Sequence, residues 1–154
     1  MNRLVSAAAT ALVAATGIAT ALPAAAQFQK PEDAVKYRKA AMTVMASHFG
    51  RIAAMANGKA PFDPAAAQAN AELVAVLSKL PFAGFIEGTA SGDTKAKPEI
   101  WSEPDKFKAG ASKMQEEVVK LNAAARTGNL EQIKAAVGDV GKSCKSCHDN
   151  YRKE

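Results

Sequence analysis

Residues 129–154 read NLEQIKAAVGDVGKSCKSCHDNYRKE. Apolar, sulfur-bearing or aromatic side chains fall at Leu130, Ile133, Val137, Val140, Cys144, Cys147 and Tyr151, a 3-4-3-4-3-4 spacing without a break. That period lays all of them along one stripe of an α-helix. Asn129 stands just ahead as an N-cap oxygen. A stripe this regular must be buried against other elements, so the rest of the chain has to supply matching surfaces. The same stretch also holds the chain's two cysteines and one of its two histidines.

Three more segments carry the helical period. The first opens at Pro31, with Glu32 and Asp33 in a first turn where acids suit the helix dipole. Its stripe runs Val35, Arg38, Met42, Met45, Phe49, Ile52, and Asn57-Gly58 ends it. The second takes Asp63 as N-cap and Pro64 as first helical residue. Its stripe is expected along Ala66, Ala69, Leu73, Val76 and Leu80, joined by Val74 and Leu77. The third is expected to start at Ser102, with Asp105 completing a near-match to a capping box. Its stripe is Phe107, Ala111, Met114, Val118, Leu121 and Ala125, closed by Thr127-Gly128. No run alternates with period two over a strand's length. The pattern predicts an all-α domain, an antiparallel up-down four-helix bundle. One connection is long: PFAGFIEGTASGDTKAKPEIW, 81–101, carries Phe82, Phe85 and Trp101, and long loops in small bundles are often functional.

The opening MNRLVSAAATALVAATGIATALPAAAQ stands apart. Arg3 gives a positive start, Leu4 to Leu22 are uncharged, and Pro23 precedes Ala24-Ala25-Ala26, which together match a cleavable secretory signal. A membrane-spanning helix is the rival reading, but the stretch is mostly small residues and only weakly apolar. Cleavage after Ala26 leaves a single domain over 27–154, exported and free of the membrane. Of 20 basic residues one, Arg3, lies in the leader, so 19 remain against 15 acids, a net +4. No basic block interleaved with aromatics appears, which gives nucleic-acid binding no support.

Cys144-Lys145-Ser146-Cys147-His148 is C-x-x-C-H, the attachment signal of a c-type haem. Two sulfurs three residues apart face one way and can hold two vinyl-derived thioethers, with the following imidazole set beneath the iron. A redox dithiol is expected in a βαβ context, which is absent. A disulfide over so short a loop would constrain almost nothing. A zinc site needs about four ligands, more than this cluster offers. One covalent haem c per chain, with His148 on its iron, is the reading. The six residues after His148 hold no good haem ligand, so any sixth ligand comes from upstream. His48 sits beside Val44 and Ile52 at the edge of its stripe and reads as a solvent-edge histidine. Met45 and Met114 read as packing, Met55 is a further candidate, and Met42 is the serious one. Arg38 occupies a core-facing slot, where a guanidinium wants an anion; it either snorkels or meets a haem propionate, and the second is favoured.

Taken together, QFQKPEDAVKYRKAAM (27–42), MASHFGR (45–51), PEIWS (98–102) and GDVGKSCKSCHDNYRK (138–153) resemble the cytochrome c′ family of high-spin class II c-type cytochromes. The resemblance spans the whole chain after the leader. It implies a haem c held inside the bundle by Cys144 and Cys147 with His148 as proximal ligand. It also implies haem contacts from Arg38, Lys39 and Asp93, although Lys39 replaces a common glutamine. Phe82 and Phe85 match the distal wall, and Arg152 a basic residue on the proximal face. Met42 matches an apolar residue that covers the iron without bonding it, leaving a five-coordinate iron open to NO and CO. The alternative is a low-spin class II electron carrier with Met42 as sixth ligand. Further implications are a periplasmic location, a homodimer paired through the first two helices, and periplasmic redox proteins as partners. Lys142, Lys145 and Lys153 are the lysines nearest the haem motif. A distal wall of Met42, Phe82 and Phe85 offers no proton carrier, so the reading is a binding and electron-transfer protein, not an enzyme.

Overall fold

The computed structural model describes residues 27–154, so the leader expected over 1–26 lies outside the described residues. Helix α1 spans Pro31–Ala56, with proline at its start, Glu32 and Asp33 in its first turn and Asn57 as C-cap. Gly58, at φ 70°, takes the left-handed turn that carries the chain out of it. Helix α2 spans Pro64–Leu77, and its Asp63 N-cap side chain accepts from the N–H groups of Ala65 and Ala66. A 3₁₀ turn at Leu80–Gly84 and a short α3, Glu99–Ser102, punctuate the long connection. Helix α4 spans Pro104–Arg126, and α5 spans Leu130–Tyr151 with the Asn129 side chain accepting from Gln132 N–H. The long helices pack α1 on α2, α2 on α4 and α4 on α5, and α1 closes on α5. The fold is the expected all-α four-helix bundle.

Three of the four stripes turn inward as the periodicity requires, although Met42 and Phe49 of α1 and Leu130, Cys144, Cys147 and Tyr151 of α5 are only half-buried. Val35, Arg38, Met45 and Ile52 of α1, the whole Phe107-to-Ala125 set of α4, and Ile133, Val137 and Val140 of α5 all lie inside. Helix α2 departs from its expected face. It buries Ala67, Ala71 and Val74, while Leu73, Val76 and Leu80 stay 46%, 63% and 39% exposed. The helix is apolar most of the way round, and the alanine side lets it approach α1 and α4 closely, so the bulkier stripe is left outward. Ser102 is also not the cap of α4; that position falls to Glu103, which makes no side-chain cap bond.

The packing is uneven along the bundle axis. Ile52, Leu121 and Ile133 are fully buried toward the end where α1 finishes and α5 begins. Toward the other end, where α1 begins and α5 finishes, the four helices enclose a cavity.

Candidate cofactor site

The cavity measures about 680 Å³, within the range of pockets that bury an organic ligand. Cys144, Cys147 and His148 of α5 all line it, as the single-face spacing demands. Both cysteines are half-buried, and neither is in a disulfide. Burial raises both thiol pKa values, helped at Cys147 by its neighbour Cys144. His148 keeps an exposed edge, yet packing around its ring, and then the charge of Arg152, lowers its pKa. A neutral imidazole is the form that ligates metal.

The opposite wall is apolar. Met42, Met45 and Phe49 of α1, Phe82 and Phe85 of the long connection, and Met114 of α4 line it. Phe82, Phe85 and Phe107 pack on one another with ring centroids 4.9–6.2 Å apart, and Tyr151 meets Phe107 edge-on at 5.3 Å. His48 does not reach the cavity; its Nδ1 lies 2.8 Å from the side-chain oxygen of Asn70. Met55 packs in the core instead.

Arg38 is only 3% exposed, so the snorkelling alternative does not hold. One guanidinium NH₂ group donates to Gly84 O at 3.0 Å and to Thr89 Oγ1 at 2.7 Å. The other donates to Thr89 O at 2.8 Å and Thr94 Oγ1 at 2.7 Å. The plane stacks on Phe85, with Cζ 4.6 Å from the ring centroid, and on Trp101 at 5.6 Å. Gly84 has no room for a side chain, because a Cβ there would stand 2.6 Å from Ala34 O and 2.9 Å from Arg38 Cβ. Arg38 thus ties the connection over 84–94 to α1 and has no ion-pair partner among the described residues. Its neighbour Lys39 adds a second tie, 2.6 Å to Asp93 Oδ2, which lowers the Asp93 pKa.

The chain's end closes the same rim. Ala96 and Arg152 form an antiparallel bridge, with Lys97 N–H donating to Tyr151 O at 2.9 Å and Lys153 N–H to Lys95 O at 2.8 Å. Lys95 and Arg152 line the cavity there, beside Arg38, Lys39 and Asp93. Two thiols and an imidazole on one wall, hydrocarbon on the other and cations at the rim fit a porphyrin that bears two carboxylates. The buried charge of Arg38, lacking a carboxylate partner in the described chain, fits it as well.

Comparison with known proteins agrees. The family described as Cytochrome C′ matches residues 33–152. The chain belongs to the cytochrome c′ family. A cytochrome c′ of Alcaligenes xylosoxydans xylosoxydans is 55% identical over 128 residues, 83% of this chain and 99% of that one. The crystal structure of cytochrome c′ from Rubrivivax gelatinosus superposes with a TM-score of 0.80 at 55% identity, over 82% of this chain and 100% of that one. A nitric oxide complex of a mutant cytochrome c prime from Alcaligenes xylosoxidans gives 0.79 at 53% identity, over 83% and 99%. As a member of the cytochrome c′ family the chain carries one covalently attached haem c.

Sequence reasoning missed the partners of Arg38. Thr89 and Thr94 sit in an aperiodic stretch that gives no sign of which residue they serve. The pairing of 95–97 with 151–153 was equally silent, since a single bridge leaves no alternation to read.

Proposed function

We propose that Cys144 and Cys147 hold the haem, that His148 is its axial ligand, and that the opposite face is left free for NO and CO. The observation carrying this is the lining of one cavity: Cys144, Cys147 and His148 come to it from α5, and Met42, Met45, Phe49, Phe82, Phe85 and Met114 make the rest of it mainly apolar inside a polar rim. When bound, the haem supplies a one-electron couple and an iron site for diatomic ligands. Met42, Phe82 and Phe85 exclude water and offer no proton, which suits reversible binding rather than peroxide cleavage. Arg38 holds Phe85 through the 84–94 connection and by stacking on its ring, Arg38 and Lys39 would lie nearest the haem carboxylates, and Arg152 would stand on the proximal face. The leader over 1–26 is removed on export, and the domain 27–154 works in the periplasm. No helix among the described residues is long and apolar enough to cross a membrane. The outward Val44, Leu73, Val76 and Leu80 on α1, α2 and the turn after it support a homodimer through that face.

A second reading rests on Met42 lining the cavity with a half-buried thioether, which makes it a sixth ligand in a low-spin electron carrier. The ferrous absorption spectrum, taken before and after adding CO and NO, separates the two. A five-coordinate spectrum that changes at once with either gas is expected. A six-coordinate low-spin ferrous spectrum without added ligand overturns the open-site proposal and supports Met42 ligation. Mass spectrometry of the Cys144→Ser/Cys147→Ser variant tests attachment, with loss of the haem mass expected.

A further inference from the structure

The pairing of 95–97 with 151–153 gathers cations that lie far apart in the sequence. Lys95 and Lys153 stand directly opposite across the bridge, both exposed, with Lys153 N–H donating to Lys95 O. Arg152 and Lys97 flank them, and Lys97 Nζ also donates to Asp149 O at 2.9 Å. Like charges directly opposite on paired strands destabilise the pairing. No acid relieves them: among the described residues Lys95, Lys97, Arg152 and Lys153 form no ion pair within 4.0 Å. Other lysines near the same end are neutralised, Lys39 by Asp93, Lys142 by Asp139 and Lys145 by Asp149. Two of the three lysines nearest the haem motif in sequence are therefore spent within their own helix. The unspent charge lies on the bridge.

We propose that this patch is the docking surface for a one-electron redox protein that presents a carboxylate-rich face. The inference rests on the haem reading above and deepens it by naming the partner's chemistry. An uncompensated cationic patch draws an acidic partner through solution and fixes its orientation on arrival. Its position makes the encounter productive, because Lys95 and Arg152 also line the cavity, so a partner seated on the patch lies against the cofactor. Lys97 and Lys153 lie outside the cavity lining, so the patch extends beyond what haem carboxylates occupy. Glu99 and Glu154 interrupt the cations, unlike the unbroken basic runs that bind anionic lipid. One electron crosses the interface: the partner's centre is oxidised as the cytochrome is reduced, or the reverse, and no bond or proton moves with it.

The test uses the haem-loaded protein and an acidic blue-copper protein as probe. Stopped-flow rates are measured across ionic strength for the wild type, for Lys97→Glu/Lys153→Glu on the part of the patch outside the cavity lining, and for Lys59→Glu/Lys134→Glu at the opposite end of the bundle. Reversal at the patch is expected to slow the low-salt rate by about tenfold or more and to abolish its decline with salt, while the distant pair changes it less than about twofold. A redox-silent measurement runs beside it: the copper-free probe is expected to shift the amide resonances of 95–97 and 151–153. Equal slowing by both pairs, or none by either, overturns the proposal. So does capture of the wild type by phosphatidylglycerol vesicles at physiological salt while the copper-free probe leaves those amides unmoved. Haem content is assayed on every sample. A wild type without haem overturns the function proposed above, whereas a haem-replete protein indifferent to charge reversal overturns only this surface.

Discussion

Arg38→Met removes the tie between α1 and the connection that carries Phe82 and Phe85, while keeping an unbranched apolar stem in the same slot. Four donor bonds disappear. Two of their acceptors keep another partner, since Thr89 Oγ1 still donates to Ile86 O and Thr94 Oγ1 still accepts from Ala96 N–H. Gly84 O and Thr89 O lose the donor that serves them, and a buried group left unpaired costs about 1–3 kcal/mol. Relief from burying a guanidinium offsets part of the sum, so a net loss of about 3 kcal/mol is expected. For a domain of this size that lowers Tm by about 10 °C. Circular dichroism of the haem-loaded variant gives the Tm, and hydrogen exchange locates the damage, with protection lost over 84–94 and retained in α4 and α5. Arg38→Lys decides what the residue is for. Lysine keeps the charge but cannot reach four acceptors in a fork, so the loop should loosen nearly as much as with methionine. A Tm within about 2 °C of wild type for Arg38→Met, with protection of 84–94 unchanged, refutes the tie.

Three further outcomes follow from the same geometry. Gly84→Ala drives a Cβ to 2.6 Å from Ala34 O, a backbone atom that cannot step aside, and is expected to cost about 2 kcal/mol in chemical denaturation. Lys39 lowers the Asp93 pKa, so the contribution of this pair is present above the unfolded carboxyl value and disappears as pH falls through the lower, folded one. Protection factors over 92–95, corrected for the intrinsic exchange rate, should therefore fall below about pH 4, and Asp93→Asn should erase that step. Val76→Lys places a charge on a 63% exposed apolar position of α2 and is expected to yield monomers in sedimentation, with the haem spectrum unchanged.

The fold was legible because three helices carry single stripes whose burial leaves one arrangement, and because Pro31, Asp63-Pro64 and Asn129 mark where helices begin. Helix α2 was not, because its alanine face and its Leu73-Val76 face both satisfy the helical period. Which of them is inward depends on how closely neighbours approach, and no single helix records that. The sulfur and imidazole wall was legible for a covalent reason: the spacing from Cys144 to His148 is local. The rim was not, because Arg38 meets Thr89 across 51 residues and two of its four acceptors are backbone oxygens that every sequence possesses. Burial of Arg38 was read correctly. The partners that make that burial tolerable come from the connection with the least pattern.

The stitch between Lys95–Lys97 and residues 151–153 also orders events during synthesis. Synthesis runs from the N-terminus, so the residues of α1, α2 and α4 are all made before those that pair with the connection over 85–98. Until Arg152 and Lys153 emerge, that segment is held by Arg38 and Lys39, by the Trp101 Nε1–H bond to Ile86 O and by Phe85 on Phe107, and the mouth of the cavity lacks its strand on the side where α5 must arrive. The motif that receives the porphyrin and the strand that shuts the entrance are thus made within a few residues of each other. A chain cut after Asn150 would keep both cysteines and His148 yet have nothing with which to fasten the door.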